Sequence, residues 1–367
     1  MADKKRRDAG YDLMILIPVI LLIGLGLVVV YSASSNLAEH RMGDSYFYLK
    51  KQAVFCAIGI GLMILARYIP CTLYAKLSYP LLLISGGLLV LLLVPGFGRR
   101  VGGACRWLSM GGISFQPSEL AKFSLAVYVA YSMAKKGAKM ASFSRGMLPH
   151  LMVACAFVFL ILLQPDLGTA VIIGAWLMIL LFLGGVRIFQ LASLSLLFLP
   201  LLAWLILKAD YRLNRWMAFL DPWEDPQGIG FHIIHSFLAF GSGGIFGVGL
   251  GNSKQKLFYL PEPHTDFALS IVGEELGLLG VGVIIVLFGM LIMRGIKVAL
   301  SARDLYSSYL ALGLTCLIGL QVIINMGVVV GLLPTKGLPL PLISYGGSSL
   351  VVTLISIGVL LNISSRR

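Results

Sequence analysis

Long apolar runs, separated by short polar segments, divide this chain of 367 residues. A helix that crosses a membrane needs about twenty consecutive, mostly apolar residues. Ten runs approach or exceed that length, near residues 12–34, 48–66, 77–95, 117–134, 147–163, 168–184, 188–208, 267–293, 305–330 and 342–363. They are continuously apolar, whereas the strands of a membrane barrel alternate at every second residue. The pattern therefore predicts an all-α, polytopic membrane bundle of about ten transmembrane helices.

Composition agrees with a membrane protein that has no soluble appendage. Hydrophobic residues make up 58% of the chain and charged residues 12%, against roughly 45–50% and about 25% in soluble domains. We interpret residues 1–367 as one transmembrane domain, with residues 1–11 as a tail and residues 209–266 as a large loop between spans 7 and 8. The first apolar run is of full length and lacks a clear small-residue cleavage site, so no cleavable signal peptide is expected.

Basic residues near short loops indicate the orientation, because they favour the cytoplasmic side. An even number of spans places both termini on one side, and both carry basic residues, at 4–7 and 366–367. We therefore expect cytoplasmic termini and an extracytoplasmic loop 209–266. Twelve cations still fall on the outer face, nine of them between Arg99 and Lys336. They favour either a bound phosphate or pyrophosphate or general contact with acidic lipid headgroups.

Several kinds of chemistry find no support in the sequence. The five cysteines lack metal-ligand spacing such as C-x-x-C, so we expect neither a structural disulfide nor a cysteine metal site. No Walker-type or dinucleotide-binding motif is evident, and no nucleic-acid-binding motif appears. A reaction would therefore use an activated substrate or an ion gradient.

The segment PEPHTDF, at residues 261–267, is the leading candidate for an active site. Thr265 or Asp266 could simply be the N-cap of the eighth span. Alternatively, Asp266 is a carboxylate at the outer membrane boundary that accepts a proton from a hydroxyl group. His264 could assist, although a lone loop histidine is more often a bystander. Pro261 and Pro263 would stiffen the approach to the helix.

Glu274 and Glu275 follow within the same apolar run. At 1.5 Å per residue they lie roughly 12–14 Å beyond Asp266 along a continuous helix, and an ionisable group at membrane depth is a functional candidate. The alternative is a structural ion pair with a basic residue of another span, for which Lys122 is the obvious partner.

Two further segments could line a substrate cavity. Glu119 and Lys122 are i,i+3 neighbours at the head of the fourth span, just below Arg106 and Trp107. They could be a local charge pair or part of a cationic site. Prolines interrupt the segment from residue 331 to residue 349, where Lys336 would suit an anion. This segment could instead be an ordinary re-entrant turn.

Long ordered motifs resemble the SEDS family of shape, elongation, division and sporulation proteins. They are Arg106-Trp107, QPSELAK at 116–122, QPDLGTA at 164–170, FLDPWEDPQGIGFHIIHS at 219–236, GSGGIFGVGLGNSKQKLFYLPEPHTDF at 241–267, EELG at 274–277 and GLLPTKGLPLPLISYGGSS at 331–349. The resemblance covers essentially the whole chain. The TKG and PEPHTDF motifs look more similar to the cell-division branch, FtsW, than to the elongation branch, RodA, and a sporulation paralogue stays open.

The resemblance implies a peptidoglycan glycosyltransferase that polymerises lipid II on the outer face of the bacterial cytoplasmic membrane, at the division septum. Its catalytic aspartate falls on Asp266. The supporting residues that the resemblance implies are Arg106, Glu119, Lys122 and Lys336. Further substrate-binding candidates are Trp107, Arg212, Arg215, His264 and Ser344, among which the two arginines could stabilise a departing pyrophosphate. The implied partners are lipid II, undecaprenyl-pyrophosphate-linked glycan, a class B penicillin-binding transpeptidase along spans 8 and 9, and other divisome proteins. No cofactor is required by the sequence, although Mg²⁺ or Mn²⁺ could help to stabilise the leaving group.

Two other functions compete with the polymerase. Ten spans with Glu274 and Glu275 at membrane depth would suit a flippase that carries lipid II outward, but such a carrier needs its essential charges near the midplane rather than at Asp266. A non-catalytic division scaffold is the third interpretation, and it predicts that Asp266→Ala is harmless when the protein folds.

Overall fold

The computed structural model describes residues 10–101, 104–110, 113–256, 263–335 and 337–366. The helices within this part of the chain are α1 Leu13–Met42, α2 Phe47–Tyr68, α3 Cys71–Lys76, α4 Ser78–Leu91, α5 Pro117–Lys136, α6 Leu148–Leu162, α7 Leu167–Leu183, α8 Ile188–Leu207, α9 Asp210–Leu220, α10 Phe231–Gly243, α11 Ala268–Glu275, α12 Gly277–Leu300, α13 Leu305–Val329 and α14 Gly347–Ser365. A short 3₁₀ helix, Gly137–Ala141, and a π-helical turn, Phe143–Met147, join α5 to α6.

Each predicted span coincides with a helix or a pair of helices, and the all-α membrane bundle is confirmed. Seven helical segments of the described chain are long and apolar enough to cross a membrane, and α4 and α7 are shorter apolar helices. The helix α5 spans 20 residues but carries buried charged groups among its apolar side chains. The protein is therefore a multi-pass membrane protein.

The expected outer loop between spans 3 and 4 contains a small antiparallel sheet. Its strands are β1 Gly98–Val101, β2 Ala104–Met110 and β3 Ile113–Phe115, in the order β1-β2-β3. Leu108 of β2 pairs with Gly98 on one side and Phe115 on the other. Because α5 begins two residues after β3, the sheet lies directly at the head of that helix.

The start of α1 and the end of α14 meet at one end of the bundle. Asp12, just before α1, accepts hydrogen bonds from Arg294 near the end of α12, with nitrogen–oxygen distances of 2.8–3.0 Å. Ser364, at the end of α14, donates to the same carboxylate. This proximity agrees with an even number of crossings, which places both termini on one side.

Small residues allow the central helices to approach closely. An added Cβ at Gly26 of α1 would overlap the backbone of Leu342 and Ile343, and one at Gly358 of α14 would overlap the carbonyl of Met63 in α2. Glycines are enriched at helix contacts inside membranes because they let backbones touch. The helix α14 is consequently the most enclosed of the seven, with 78% of its apolar window buried.

The eighth span is broken, contrary to the continuous run predicted from residue 267 to residue 293. The helix α11 ends at Glu275, and α12 begins at Gly277, whose φ of +65° favours glycine. The preceding loop fills the break, because Val248 and Gly249 donate to the carbonyls of Glu274 and Glu275 at 2.9 and 3.0 Å. The short helix α11 is therefore a separate element fixed by this loop.

The large loop predicted from residue 209 to residue 266 contains two helices of its own. The helix α9 follows directly after α8, and α10 packs against α11. Ser236 of α10 shares a 2.8 Å hydrogen bond with Ser270 of α11 and donates to the carbonyl of Val329 in α13 at 2.6 Å. These buried contacts fix α10 beside α11 and α13.

Candidate active site

A small cleft with a cavity volume of about 40 Å³ lies between β2, α9 and the segment before α14. Three arginines line it, Arg106 from β2 and Arg212 and Arg215 from α9, together with Tyr211, Trp216, residues 165–168, Pro334, Thr335 and Gly337. Since one water needs a cavity of about 10–15 Å³, the space suits a few waters or one phosphate group. The cleft is therefore a cationic site of the right scale for an anionic group.

Arg106 is held in the cleft by backbone carbonyl groups. Its Nε donates to the carbonyl of Gln164 at 3.1 Å, and a second guanidinium nitrogen donates to the carbonyl of Pro165. Gln164 is itself fixed by a 3.0 Å hydrogen bond from its amide to the carbonyl of Leu89. Because these acceptors are neutral, the positive charge of Arg106 is not cancelled by them.

The two arginines of α9 are arranged around one tyrosine. Arg212 donates to the carbonyl of Leu205 and to the hydroxyl of Tyr211, both at 2.8 Å. The guanidinium groups of Arg212 and Arg215 lie 5.3 and 5.9 Å from the Tyr211 ring centroid, within cation–π range. The tyrosine therefore orders both cations without neutralising either.

Asp266 lies at the edge of this cleft. Its Oδ2 would be 3.2 Å from a Cβ built on Gly337, and Gly337 lines the cleft. The carbonyl of Asp266 accepts a 3.1 Å hydrogen bond from Asn325 in α13. Phe267, not Asp266 or Thr265, occupies the N-cap position of α11, and no side chain caps this helix. The N-cap interpretation is therefore wrong, and the carboxylate is placed beside the cationic cleft.

His264 packs within an aromatic cluster rather than among the residues of the cleft. Its ring centroid lies 4.5 Å from that of Tyr48 and 5.6 Å from that of Tyr345, and its carbonyl accepts a 2.8 Å hydrogen bond from the Tyr345 backbone. Burial lowers the pKa of His264 to about 4, and the charge of Arg41 acts in the same direction. The side chain is thus neutral near pH 7, and its packing fits the bystander interpretation.

Glu119 and Lys122 form a buried pair away from the cleft. Their side chains are 2.9 Å apart, and Lys122 also donates to Gln321 of α13 at 3.2 Å. They line a second, smaller cavity of about 20 Å³, together with Thr353 and Ser356 of α14. The local charge pair predicted from their spacing is present, and the structure does not bring them to Arg106.

The proposed ion pair between Lys122 and the carboxylates of α11 is wrong. Glu275 pairs with Lys256 at 3.0 Å and accepts from Ser32 of α1 at 2.6 Å. Glu274 accepts from the hydroxyl of Ser253 and, at 2.9 Å, from the backbone of Lys254. The loop before α11 therefore supplies the partners, because it folds back onto the end of this helix.

The remaining predicted residues occupy other positions. Trp107 follows Arg106 in β2, so the two side chains point to opposite faces of the small sheet. The hydroxyl of Ser344 is buried and accepts a 3.0 Å hydrogen bond from the backbone of Leu340. Lys336, like Pro261 and Glu262, lies outside the described residues.

Sequence reasoning missed several contributors to this region. Asp166 is the N-cap of α7, where it accepts from the backbone and hydroxyl of Thr169 at 3.1 and 2.8 Å. Its position after Gln164 and Pro165, and before a helical run, is a recognisable capping signal. Tyr211 and Trp216 belong to the long loop and were not singled out, and Asn325 lies in a mostly apolar helix that also carries the buried amide of Gln321. A buried amide in such a helix is a signal that could have singled out Asn325.

A family model described as the FtsW, RodA and SpoVE cell cycle proteins matches residues 12–367. The chain belongs to this family. A probable peptidoglycan glycosyltransferase FtsW of Geobacter sulfurreducens is 49% identical over 97% of the chain and 95% of the relative. Stage V sporulation protein E of Bacillus subtilis is 43% identical over 96% of each protein.

Solved structures of the FtsW, RodA and SpoVE family share the fold. One, from a study of a peptidoglycan synthase complex that coordinates polymerisation and crosslinking, is 31% identical and covers 97% of this chain and 98% of its own, with a TM-score of 0.78. RodA of Thermus thermophilus is 30% identical and covers 97% of each chain, with a TM-score of 0.73. The family resemblance seen in the motifs is thereby confirmed along the whole fold.

Proposed function

We propose that this family member is a peptidoglycan glycosyltransferase that polymerises lipid II into β-1,4 glycan strands on the outer face of the cytoplasmic membrane. The observation that carries the proposal is the position of Asp266, whose carboxylate lies against Gly337 at the edge of a cleft lined by three arginines. A base beside a cationic pocket is what glycosyl transfer from a pyrophosphate-linked donor requires. The names of the relatives support the same activity.

In the proposed reaction Asp266 accepts the proton of the 4-hydroxyl of the N-acetylglucosamine in the acceptor lipid II. The hydroxyl oxygen attacks the anomeric carbon of the terminal sugar of the growing strand. A carbon–oxygen bond forms there as the bond to pyrophosphate breaks, and undecaprenyl pyrophosphate leaves with the electron pair. This single displacement inverts the α-linked donor to a β-1,4 bond.

The arginines of the cleft are proposed to stabilise the leaving group. Charge builds up on the bridging oxygen and the pyrophosphate during the displacement, and cations already in place lower the energy of that state. Arg106, Arg212 and Arg215 line one cavity in the structure, and we assign them this role. We propose the same role for Lys336, which follows Thr335 and precedes Gly337 of the cleft.

We further propose that any divalent cation in the reaction is held mainly by the pyrophosphate. Among the described residues no group of three or more histidine, cysteine, aspartate or glutamate side chains could hold a metal ion. Mg²⁺ or Mn²⁺ prefers oxygen ligands, which the pyrophosphate offers, and could share charge neutralisation with the arginines.

The partner and the site of action are also proposals. A likeness to a chain from a peptidoglycan synthase complex supports a complex with a class B penicillin-binding transpeptidase, so that new strands are crosslinked as they form. Similarity to proteins named FtsW supports a role in septal wall synthesis with other divisome proteins.

The proposal is tested by glycan-strand synthesis from labelled lipid II, with the purified protein in complex with its transpeptidase. Wild type should form polymer, whereas Asp266→Asn should form none, because the amide cannot accept the proton. Asp221→Asn is the matched control, since Asp221 is an exposed loop carboxylate that accepts only a hydrogen bond from the Trp223 backbone in the described structure. Equal activity of wild type and Asp266→Asn at matched folding would overturn the assignment of the base. If wild type made no polymer, a lipid II translocation assay would be the next measurement.

A further inference from the structure

One buried amide joins the two segments that form the edge of the cleft. Asn325, in α13, is 2% exposed. Its Nδ2 donates to the carbonyl of Asp266 at 3.1 Å and to the carbonyl of Leu338 at 2.7 Å. Asp266 precedes α11, and Leu338 belongs to the irregular segment before α14, so a single side chain connects two parts of the chain that are distant in sequence.

One of these segments carries the carboxylate of Asp266 and the other forms part of the cleft, and the distance between the two matters for the proposed reaction. Gly337, which precedes Leu338, lies against the carboxylate of Asp266 and lines the arginine cleft. A shift of either segment would change the distance between the proposed base and the cleft. The amide of Asn325 holds both carbonyls from one point on a long, mostly buried helix, which makes it a rigid reference for that distance.

In the described structure the hydrogen bonds of Asn325 involve its Nδ2 and not its Oδ1. Both hydrogens of the amide group are used, whereas Oδ1 is buried and has no hydrogen-bond partner in the described protein. An unpaired buried acceptor costs free energy, and such groups call for an explanation such as a catalytic role. The two donated hydrogen bonds are therefore the interactions that this side chain supplies.

We propose that Asn325 is a positioning residue for Asp266, setting its place relative to the cleft by donating to the carbonyls of Asp266 and Leu338. The proposal rests on the function proposed above. Asn325 acts by holding the backbone on both sides of the base–cleft contact and not by binding the substrate. Its loss should lower kcat much more than it changes the KM for lipid II, because Arg106 and Arg212 of the cleft are held by other contacts.

The decisive variant is Asn325→Asp, which keeps the size of the side chain and removes at least one of the two donated hydrogen bonds, since a carboxyl group has no hydrogen to donate when ionised and only one when protonated. Asn362→Asp is a matched control at the other end of the bundle. Asn362 is also 2% exposed, and its amide also donates to a backbone carbonyl, that of Arg67. The two variants therefore make the same chemical change at equal burial. Asn325→Asp makes it next to Asp266, and Asn362→Asp makes it far from Asp266.

Polymerisation from lipid II is measured for wild type and both variants, with melting temperatures recorded in the same detergent. We expect both variants to lose stability, but only Asn325→Asp to lose kcat, by about 10- to 100-fold, a scale typical of a misplacement near 1 Å. If Asn325→Asp does not fold, Asn325→Ala and Asn362→Ala replace the pair, since they bury no new charge.

A kcat of the Asn325 variant within twofold of that of the Asn362 variant would overturn the proposal. An equal rise in KM for both would do the same, because it would indicate a general loss of structure. Inactive wild type would instead refute the function proposed above, so the two failures are distinguishable.

Discussion

The buried pair between Lys256 and Glu275 allows a quantitative test of how the loop before α11 is fixed. Lys256→Met removes the cation but keeps most of the apolar stem. The charged atoms are 3.0 Å apart, and the two side chains are only 7% and 3% exposed. Removing one partner of such a pair leaves an uncompensated charge and costs about 3–5 kcal/mol. Lys256 also donates to the carbonyl of Gly251 at 2.6 Å. We therefore expect Lys256→Met to lower the free energy of unfolding by an amount toward the upper end of this range.

The measurement is denaturant unfolding of the purified protein in detergent, followed by tryptophan fluorescence. The double variant Lys256→Met, Glu275→Gln should recover much of the loss, because the buried charge is gone and the introduced amide can still accept a hydrogen bond from Ser32. Lys50→Met is the control for an exposed pair of similar geometry, since Lys50 and Asp44 are 2.7 Å apart but their side chains are 68% and 38% exposed. It should change stability little.

A loss below about 1 kcal/mol for Lys256→Met would refute the reasoning, because a buried and unpaired carboxylate costs more than that. A double variant no more stable than the single one would show that the loss comes from the contact to Gly251 or from packing, and not from the charge of Glu275.

The first of two further predictions concerns the edge of the cleft. Gly337→Ala places a Cβ 3.2 Å from Oδ2 of Asp266, so kcat should fall about tenfold with little change in melting temperature. Gly174→Ala, where an added Cβ meets nothing within 4 Å, should match wild type; equal kcat values for the two variants would contradict the contact. The second prediction concerns pH. Because the folded-state pKa of His264 is about 4 and its ordinary value is 6.5, the unfolded chain binds more protons between these pH values. Stability should therefore fall as pH drops from about 6.5 to about 4, by at most on the order of 3 kcal/mol. His264→Phe should flatten this dependence in melting curves recorded at pH 7.5 and pH 5, and an unchanged slope would refute it.

The helices could be predicted from the sequence because membrane crossing is a local property of apolar length. The runs near residues 168–184 and 305–330 became α7 and α13 with ends within one residue of those expected, whereas α1 continues eight residues beyond the run that ends near residue 34. The break at Gly277 was missed because its cause is not local. Loop residues 248 and 249 donate backbone hydrogen bonds to the carbonyls of Glu274 and Glu275. The apolar run itself contains no pattern that predicts these contacts.

The candidate site was predicted only in part, because residue type is a local property whereas the partners of a residue are not. Arg106, Arg212, Arg215 and Asp266 were all identified from residue type and resemblance, and the structure brings them to one cleft. The partner of Glu275 was assigned wrongly. Whether Lys122 or Lys256 pairs with Glu275 depends on how the irregular loop before α11 folds back onto that helix. Neither i,i+3 spacing nor depth along a helix predicts the path of a loop.

The short helix α11 explains why contacts on both sides of it matter for the reaction. A helix of eight residues is not stable alone, so its position depends on its anchors. At its start, Asn325 holds the carbonyl of Asp266. At its end, Lys256 and Ser32 hold Glu275, which sits nine residues beyond Asp266. Asp266 precedes this doubly anchored helix, so substitutions at either end of α11 should displace the proposed base. Substitution of Asn325, at the start, should lower kcat and cost less stability than substitution of Lys256, at the end.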